Sequence, residues 1–288
     1  MIKIRNFIFG IILTLIVCLV FEILILNSTS FYNKTSNVYK GSENVILLGS
    51  SRTLGSFIPD SISKGNVYNY GISGTNNKLW INQLYDLSKD KFSQTIIVNV
   101  DETRFLDNNN SSDGDFRSYL KLPKESFVYK NLSHVTKSKL NPFPFYYFGE
   151  IDIFLAKFIR EKIQVTGFTN KGCRIEMNIL SKSQFQKTSS YKPIEKTIIP
   201  ESTHNILKSI EKKSNELKGD RIIFVSIPIY GKSNKNVTLN KIKLEYPSLG
   251  DFHDLSQLYK KREYYYDGFH PSLKGAIILS DTLNKIVN

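Results

Sequence analysis

Four short runs of this chain carry β-forming residues without the polar and apolar alternation of a half-exposed strand: 45–48 (Val-Ile-Leu-Leu), 67–70 (Val-Tyr-Asn-Tyr), 95–100 (Thr-Ile-Ile-Val-Asn-Val) and 221–227 (Arg-Ile-Ile-Phe-Val-Ser-Ile). Strands of that kind suit burial on both faces, as in a parallel sheet covered by helices. Helical segments fall between them. The segment 77–89 places Leu79, Trp80, Leu84 and Leu87 near one face, and 201–217 does the same with Ile206, Leu207, Ile210 and Leu217. Alternation of strands and helices predicts the α/β class, built from βαβ units with right-handed crossovers. With 288 residues, 41% hydrophobic, the chain has enough apolar surface for one sizeable core, and two cysteines exclude a disulfide-stapled miniprotein.

The N-terminal residues predict an address. An apolar stretch at 7–26, about 20 residues long, covers a hydrocarbon core of roughly 30 Å at 1.5 Å per residue. Glu22 alone interrupts it, and Lys3 and Arg5 precede it. The positive-inside tendency then predicts a cytoplasmic tip and transmembrane anchor at 1–26 and an extracytoplasmic body. A cleaved signal peptide is the competing reading, disfavoured because residues 24–29 (Leu-Ile-Leu-Asn-Ser-Thr) lack an A-x-A-like site. In that arrangement Cys18 faces lipid and Cys173 does not, so no disulfide between them is expected. Residues 27–43, rich in Ser, Asn, Thr and Lys, read as a tether, and 44–288 as the domain.

Between the third strand and the helix at 201 lie about 95 residues, too many for a plain connection, so an insertion at about 106–200 is expected to cap the sheet. Its aromatic block 143–148 fits core packing better than a stacking platform for sugar rings or an acyl slot. The net charge of +13 comes from scattered lysines without a single run. Facing outward from a membrane, such a surface attracts anionic envelope polymers, and the address argues against nucleic acid.

Two local patterns carry chemistry. Gly49-Ser50-Ser51-Arg52 follows the first strand, where a glycine permits a sharp turn that lifts a hydroxyl into the open; the ordinary alternative is a helix N-cap. Near the C-terminus, Asp267-Gly-Phe-His270 places a carboxylate three residues before an imidazole, a spacing that lets one ring nitrogen be held and the other take a proton from a serine. Pro271 is expected to open a terminal helix. A metal site made of His253, Asp254, Asp267 and His270 leaves the serine turn unexplained, and no metal or cofactor is expected. His134 and His204 read as surface residues.

These patterns resemble the SGNH, or GDSL-like, hydrolase family, and in particular its membrane-anchored envelope members: the D-alanyl transfer protein of teichoic acid modification and the acetylation proteins of secreted polysaccharides. The resemblance covers roughly 44–103 and 221–283, through Gly49-Ser50-Ser51, Gly71 within 69–76 (Asn-Tyr-Gly-Ile-Ser-Gly-Thr-Asn), and Asp267 with His270. It implies a three-layer α/β/α sandwich with a mainly parallel, flavodoxin-like sheet. It also implies Ser51 as nucleophile, His270 as general base and then acid, and Asp267 as the group orienting the imidazole. The oxyanion donors it implies are the amides of Ser51 and Gly71 and an asparagine side chain. At that last position stands Asp101, and an ionised carboxylate cannot donate. Either Asn76 or Asn77 substitutes, Asp101 is protonated, or the site is weak; alternatively Asp101 orients Arg52, which could bind an anionic substrate group. The function expected is a membrane-anchored serine esterase or O-acyltransferase acting on an acyl group, most plausibly acetyl, of an envelope glycan or teichoic-type polymer. The other function is a catalytically inactive glycan-binding or assembly component that partners a membrane acyltransferase. A processed, secreted lipolytic esterase is a third.

Overall fold

The computed structural model describes residues 2–28, 45–75, 77–88, 94–102, 113–114, 119, 122–140, 167–168, 173–175, 181–188, 197–216, 221–232 and 234–288. Asn76, the bulk of the expected tether and the aromatic block 143–148 lie outside them. The first helix, α1 (Ile2–Ser28), contains the apolar stretch. Its segment Ile4–Phe21 is long and apolar enough to cross a membrane, and none of that segment is buried, which separates it from a core helix of the domain.

The domain is built on a sheet of five parallel strands: β1 (Val45–Leu48), β2 (Val67–Asn69), β3 (Thr95–Asn99), β6 (Arg221–Ser226) and β7 (Asp251–Asp254). Their order across the sheet is β2-β1-β3-β6-β7. Between β3 and β6 the described elements are α4 (Phe127–Asn131), α5 (His134–Lys139), a two-residue hairpin β4 (Gly167–Phe168) with β5 (Arg174–Ile175), α6 (Lys182–Thr188) and α7 (Glu201–Glu216). β3 pairs directly with β6, Thr95 opposite Arg221, so this long excursion leaves the sheet and returns to the neighbouring position.

Two apolar clusters explain why the strands lack alternation. On one face Ile46, Leu48, Val98 and Phe224 pack under α3 (Asn77–Leu87), α7 and α8 (Val237–Glu245). On the other, Val45, Leu47, Ile97 and Val225 pack under Leu279, Leu283 and Val287 of α9 (Leu273–Val287). Successive strand residues point to opposite faces, and here both faces are dry. Each large apolar side chain removed from water contributes about 1.5–3 kcal/mol before its entropy cost.

Three details differ from the sequence reading. β7 carries Asp-Phe-His-Asp and shows no apolar run, because it is an edge strand held mainly by its pairing with β6. α3 is buried on nearly all sides, including Asn82, Gln83 and Asp86. The reason is its second covering layer: the Asp86 carboxylate accepts hydrogen bonds from the Phe127 and Val128 amides (2.6 and 2.8 Å), capping α4 on its outer side. Finally, Pro271 lies outside α9; Ser272 is the N-cap, and Pro271 forms an isolated antiparallel bridge with Tyr265.

The strand order reverses between β1 and β3, since the chain goes to one side of β1 for β2 and to the other for β3. In open parallel sheets the crevice beyond the carboxyl ends at such a point is where ligands bind. The turn after β1 and the end of β3 open into it.

Candidate active site

Gly49 leaves β1 with φ of 143°, and a Cβ there would lie 2.1 Å from Thr53 Oγ1, so the turn requires glycine. It delivers two serines into different roles. Ser50, nearly buried, is the N-cap of α2 (Ser51–Ser56), its Oγ accepting from the Arg52 amide at 3.2 Å. Ser51 is half-buried at the rim. The N-cap and exposed-hydroxyl readings of this turn therefore both apply, one to each serine.

The second component comes from the opposite end of the domain. Residues 267–270 form a tight turn closed by the Tyr266 amide on the His270 carbonyl (2.9 Å) and tied to the loop after β6 by the Tyr230 amide on the Gly268 carbonyl (3.0 Å). Tyr265, 1% exposed, roots the turn: its hydroxyl donates to the Tyr259 carbonyl at 2.9 Å, and its ring stands edge-on to Tyr230 and Tyr259. Burial drives the phenol pKa of both Tyr259 and Tyr265 well up, so both stay protonated. α9 locks this end against the start of the domain, with Ser280 Oγ accepting from the Ile58 amide at 2.8 Å.

The two components meet. His270 Nε2 lies 3.0 Å from Ser51 Oγ, and His270 Nδ1 lies 2.9 Å from Asp267 Oδ2. Asp267 Oδ1 also accepts from the Phe269 and His270 amides, both at 2.7 Å. Burial acts to raise the Asp267 pKa, but the hydrogen bond and charge of His270 and the two amides outweigh it and lower the pKa below its ordinary value. An ionised carboxylate accepts only, so Nδ1 carries the imidazole proton and Nε2 in the neutral ring is free to accept the Ser51 hydroxyl. The His270 side chain is 29% exposed, enough for a reactant to reach the pair.

The residues expected around this pair behave differently. The Gly71 amide donates to Asn69 Oδ1 at 3.0 Å and does not point a free N–H at the crevice. Its glycine is needed for space: a Cβ would lie 2.7 Å from the Leu54 nitrogen and 2.9 Å from the Ser50 carbonyl, both backbone atoms of the nucleophile turn. Gly71→Ala keeps the amide yet forces that turn to move, so it is expected to lower stability by about 1–3 kcal/mol, measured as a lower urea midpoint. Asn77 is engaged too. Its side-chain amide donates to the Asp101 carbonyl (2.9 Å) and accepts from the Asp101 amide (3.2 Å) and from Trp80 Nε1 (2.8 Å). The Ser51 amide, at the first position of α2, has no hydrogen-bond partner among the described residues.

Asp101 and Arg52 pair with each other. Arg52, 7% exposed, donates from Nη1 to Asp101 Oδ1 (2.9 Å), from Nη2 to the Ile227 and Pro228 carbonyls (2.8 and 3.1 Å), and from Nε to the Phe269 carbonyl (3.2 Å). The expected orientation of Arg52 by Asp101 is present; the expected anion-binding arginine is not, because this guanidinium is buried and already hydrogen-bonded to four acceptors. The next residue, Glu102, pairs with Lys232 in the loop after β6, and both side chains are 1% exposed. Burial lowers the Lys232 pKa despite the opposing field of Glu102 and Asp254. Glu102 Oε1 also accepts from the Val237 amide at 3.0 Å, at the start of α8. Consecutive acids at the end of β3 thus fasten two cations from distant segments, and the pairing of Glu102 with Lys232 has no local sequence signal.

Asp254 ends β7 and accepts from Ser226 Oγ, the Asn236 amide (3.0 Å) and the Ser256 amide (3.0 Å). Among the described residues no group of three His, Cys, Asp or Glu side chains is placed to hold a metal ion. His134 is exposed, whereas His204 is half-buried because its Nδ1 meets the Tyr246 hydroxyl, where burial and three neighbouring glutamates push the phenol up to about 12. Burial acts to raise the Asp254 pKa, but its hydrogen bonds from Ser226, Ser256 and Asn236 lower it overall. A depressed native carboxylate pKa stabilises the fold fully above the unfolded value of about 3.9, and that contribution fades as pH falls through the lower native value. Asp254→Asn is therefore expected to lose stability at pH 7 and to show a shallower decline below pH 4 than the native chain, as read from urea unfolding across pH.

No protein-family model matches the chain, and no curated protein matches it either. What the site can do follows from its geometry.

Proposed function

We propose that this chain is a membrane-anchored, extracytoplasmic serine esterase or O-acyltransferase of the SGNH kind, acting on an acyl group such as acetyl of an envelope glycan or teichoic-type polymer. One observation carries the reading: the 3.0 Å contact of Ser51 Oγ with His270 Nε2, backed by the 2.9 Å contact of His270 Nδ1 with Asp267. That relay lets Ser51 Oγ attack an ester carbonyl while its proton passes to His270 Nε2, a general-base contribution of about 10²- to 10⁴-fold. The imidazolium, held by Asp267, then protonates the departing alcohol and leaves an acyl-serine. Water or a sugar hydroxyl, deprotonated by the same nitrogen, releases the acyl group.

The oxyanion needs donors, and the unpartnered amide of Ser51, at the first position of α2, is our assignment for one of them. The address is supported by α1, with the basic outer domain suited to polyanionic envelope polymers. The second reading, an inactive glycan-binding or assembly component beside a membrane acyltransferase, draws on the engagement of Gly71, Asn77 and Asp101 elsewhere, which takes three of the expected oxyanion-hole residues out of that role. Incubating the detergent-solubilised chain with 4-nitrophenyl acetate separates the two. Steady turnover supports the enzyme; glycan binding without turnover supports the inactive component.

A further inference from the structure

Arg52 occupies a position that neither substrate binding nor simple ion pairing accounts for. Its backbone is joined directly to Ser51, and its Nε donates to the carbonyl of Phe269, the residue joined directly to His270. The same planar fork reaches Asp101 at the end of β3 and the two carbonyls at 227 and 228 after β6. One side chain therefore spans the crevice from the nucleophile turn to the imidazole turn, with its far end fixed on two strand ends. We infer that Arg52 is the positioning residue that sets the distance between Ser51 Oγ and His270 Nε2, with Asp101 as the counter-ion that holds its fork in register.

The inference rests on the acyl-transfer reading above. The chemistry requires arginine. A lysine ammonium is a point charge on a flexible stem, and it cannot meet a carboxylate and three carbonyls arranged around a plane. The group is buried, so its role is not contact with an anionic polymer. It also carries the charge that makes Asp101 tolerable at 7% exposure, since a lone buried carboxylate is strongly disfavoured.

The test compares the full-length wild type with Arg52→Lys and Asp101→Asn, each shown to unfold cooperatively and assayed well below its own unfolding midpoint. Two readouts are taken: kcat and KM on 4-nitrophenyl acetate, and the rate of fluorophosphonate labelling, which depends on the Ser51 and His270 pair and not on glycan binding. A displacement of about 1 Å at a reacting pair can cost about 10²-fold, so Arg52→Lys should lower kcat and the labelling rate to that extent with KM unchanged. Asp101→Asn keeps an acceptor but loses the charge, and should show the same pattern in smaller measure; it carries the test should Arg52→Lys fail to fold. Wild-type kcat and labelling in the folded variants overturn the inference, as does a raised KM with intact kcat, the signature of a substrate-binding arginine. A wild type that neither turns over nor labels overturns the acyl-transfer reading itself, and the inference with it.

Discussion

Alanine in place of Ser51 is expected to reduce turnover of 4-nitrophenyl acetate by about 10⁶-fold, essentially to background. The adjacent serine is the built-in control. Ser50 is 6% exposed and its hydroxyl caps α2, so Ser50→Ala removes an N-cap worth about 1 kcal/mol and leaves the nucleophile in place. Ser51 is the half-buried member of the pair, and its hydroxyl faces an imidazole nitrogen at 3.0 Å. Purified Ser51→Ala and Ser50→Ala should therefore diverge by several orders of magnitude in kcat. Equal activity in the two variants would place the chemistry elsewhere.

Asp267→Asn is expected to cost about 10⁴-fold in kcat while leaving the fold in place. The geometry gives the reason. One carboxylate oxygen accepts from the Phe269 and His270 amides, and in the asparagine variant the remaining oxygen takes that position. The amide nitrogen is then turned toward His270 Nδ1, where it can only donate. That places the imidazole proton on Nε2, facing Ser51, so the nitrogen that should accept the hydroxyl proton is already protonated. The loss should appear in kcat, with the far-ultraviolet circular dichroism of the wild type retained. Full activity in Asp267→Asn would mean that His270 does not act as the base.

The parts of this molecule that were readable from sequence are those whose signal is local. Continuous apolar runs marked β1, β3 and β6, because burial on both faces removes the need for alternation. The spacing of Asp267 and His270, and the Gly-Ser-Ser turn, pointed to the three side chains that the fold brings together, because each motif is confined to a few residues. β7 carried no such signal, since an edge strand of Asp-Phe-His-Asp is specified by its neighbour and by the hydrogen bonds on Asp254. The pairing of Arg52 with Asp101 is legible as one alternative, whereas the three carbonyls that complete the Arg52 fork, and the partners of Asn77, have no local signal. The Arg52 contacts run 49, 175 and 217 residues along the chain, set only when the strand ends converge. Gly71 illustrates the same limit: the family resemblance implies an amide donor there, while its constraint is close approach to the backbone of α2.

The activation of Ser51 by His270 is tested most directly by treating the intact, solubilised chain with a fluorophosphonate and mapping the adduct by peptide mass spectrometry. The attacking Oγ displaces fluoride from phosphorus as its proton passes to the imidazole, so only an activated serine reacts quickly. The expected result is a single adduct on Ser51 that is lost in His270→Ala. An unmodified Ser51, or labelling of Ser51 that is as fast without His270 as with it, would contradict the acyl-serine mechanism.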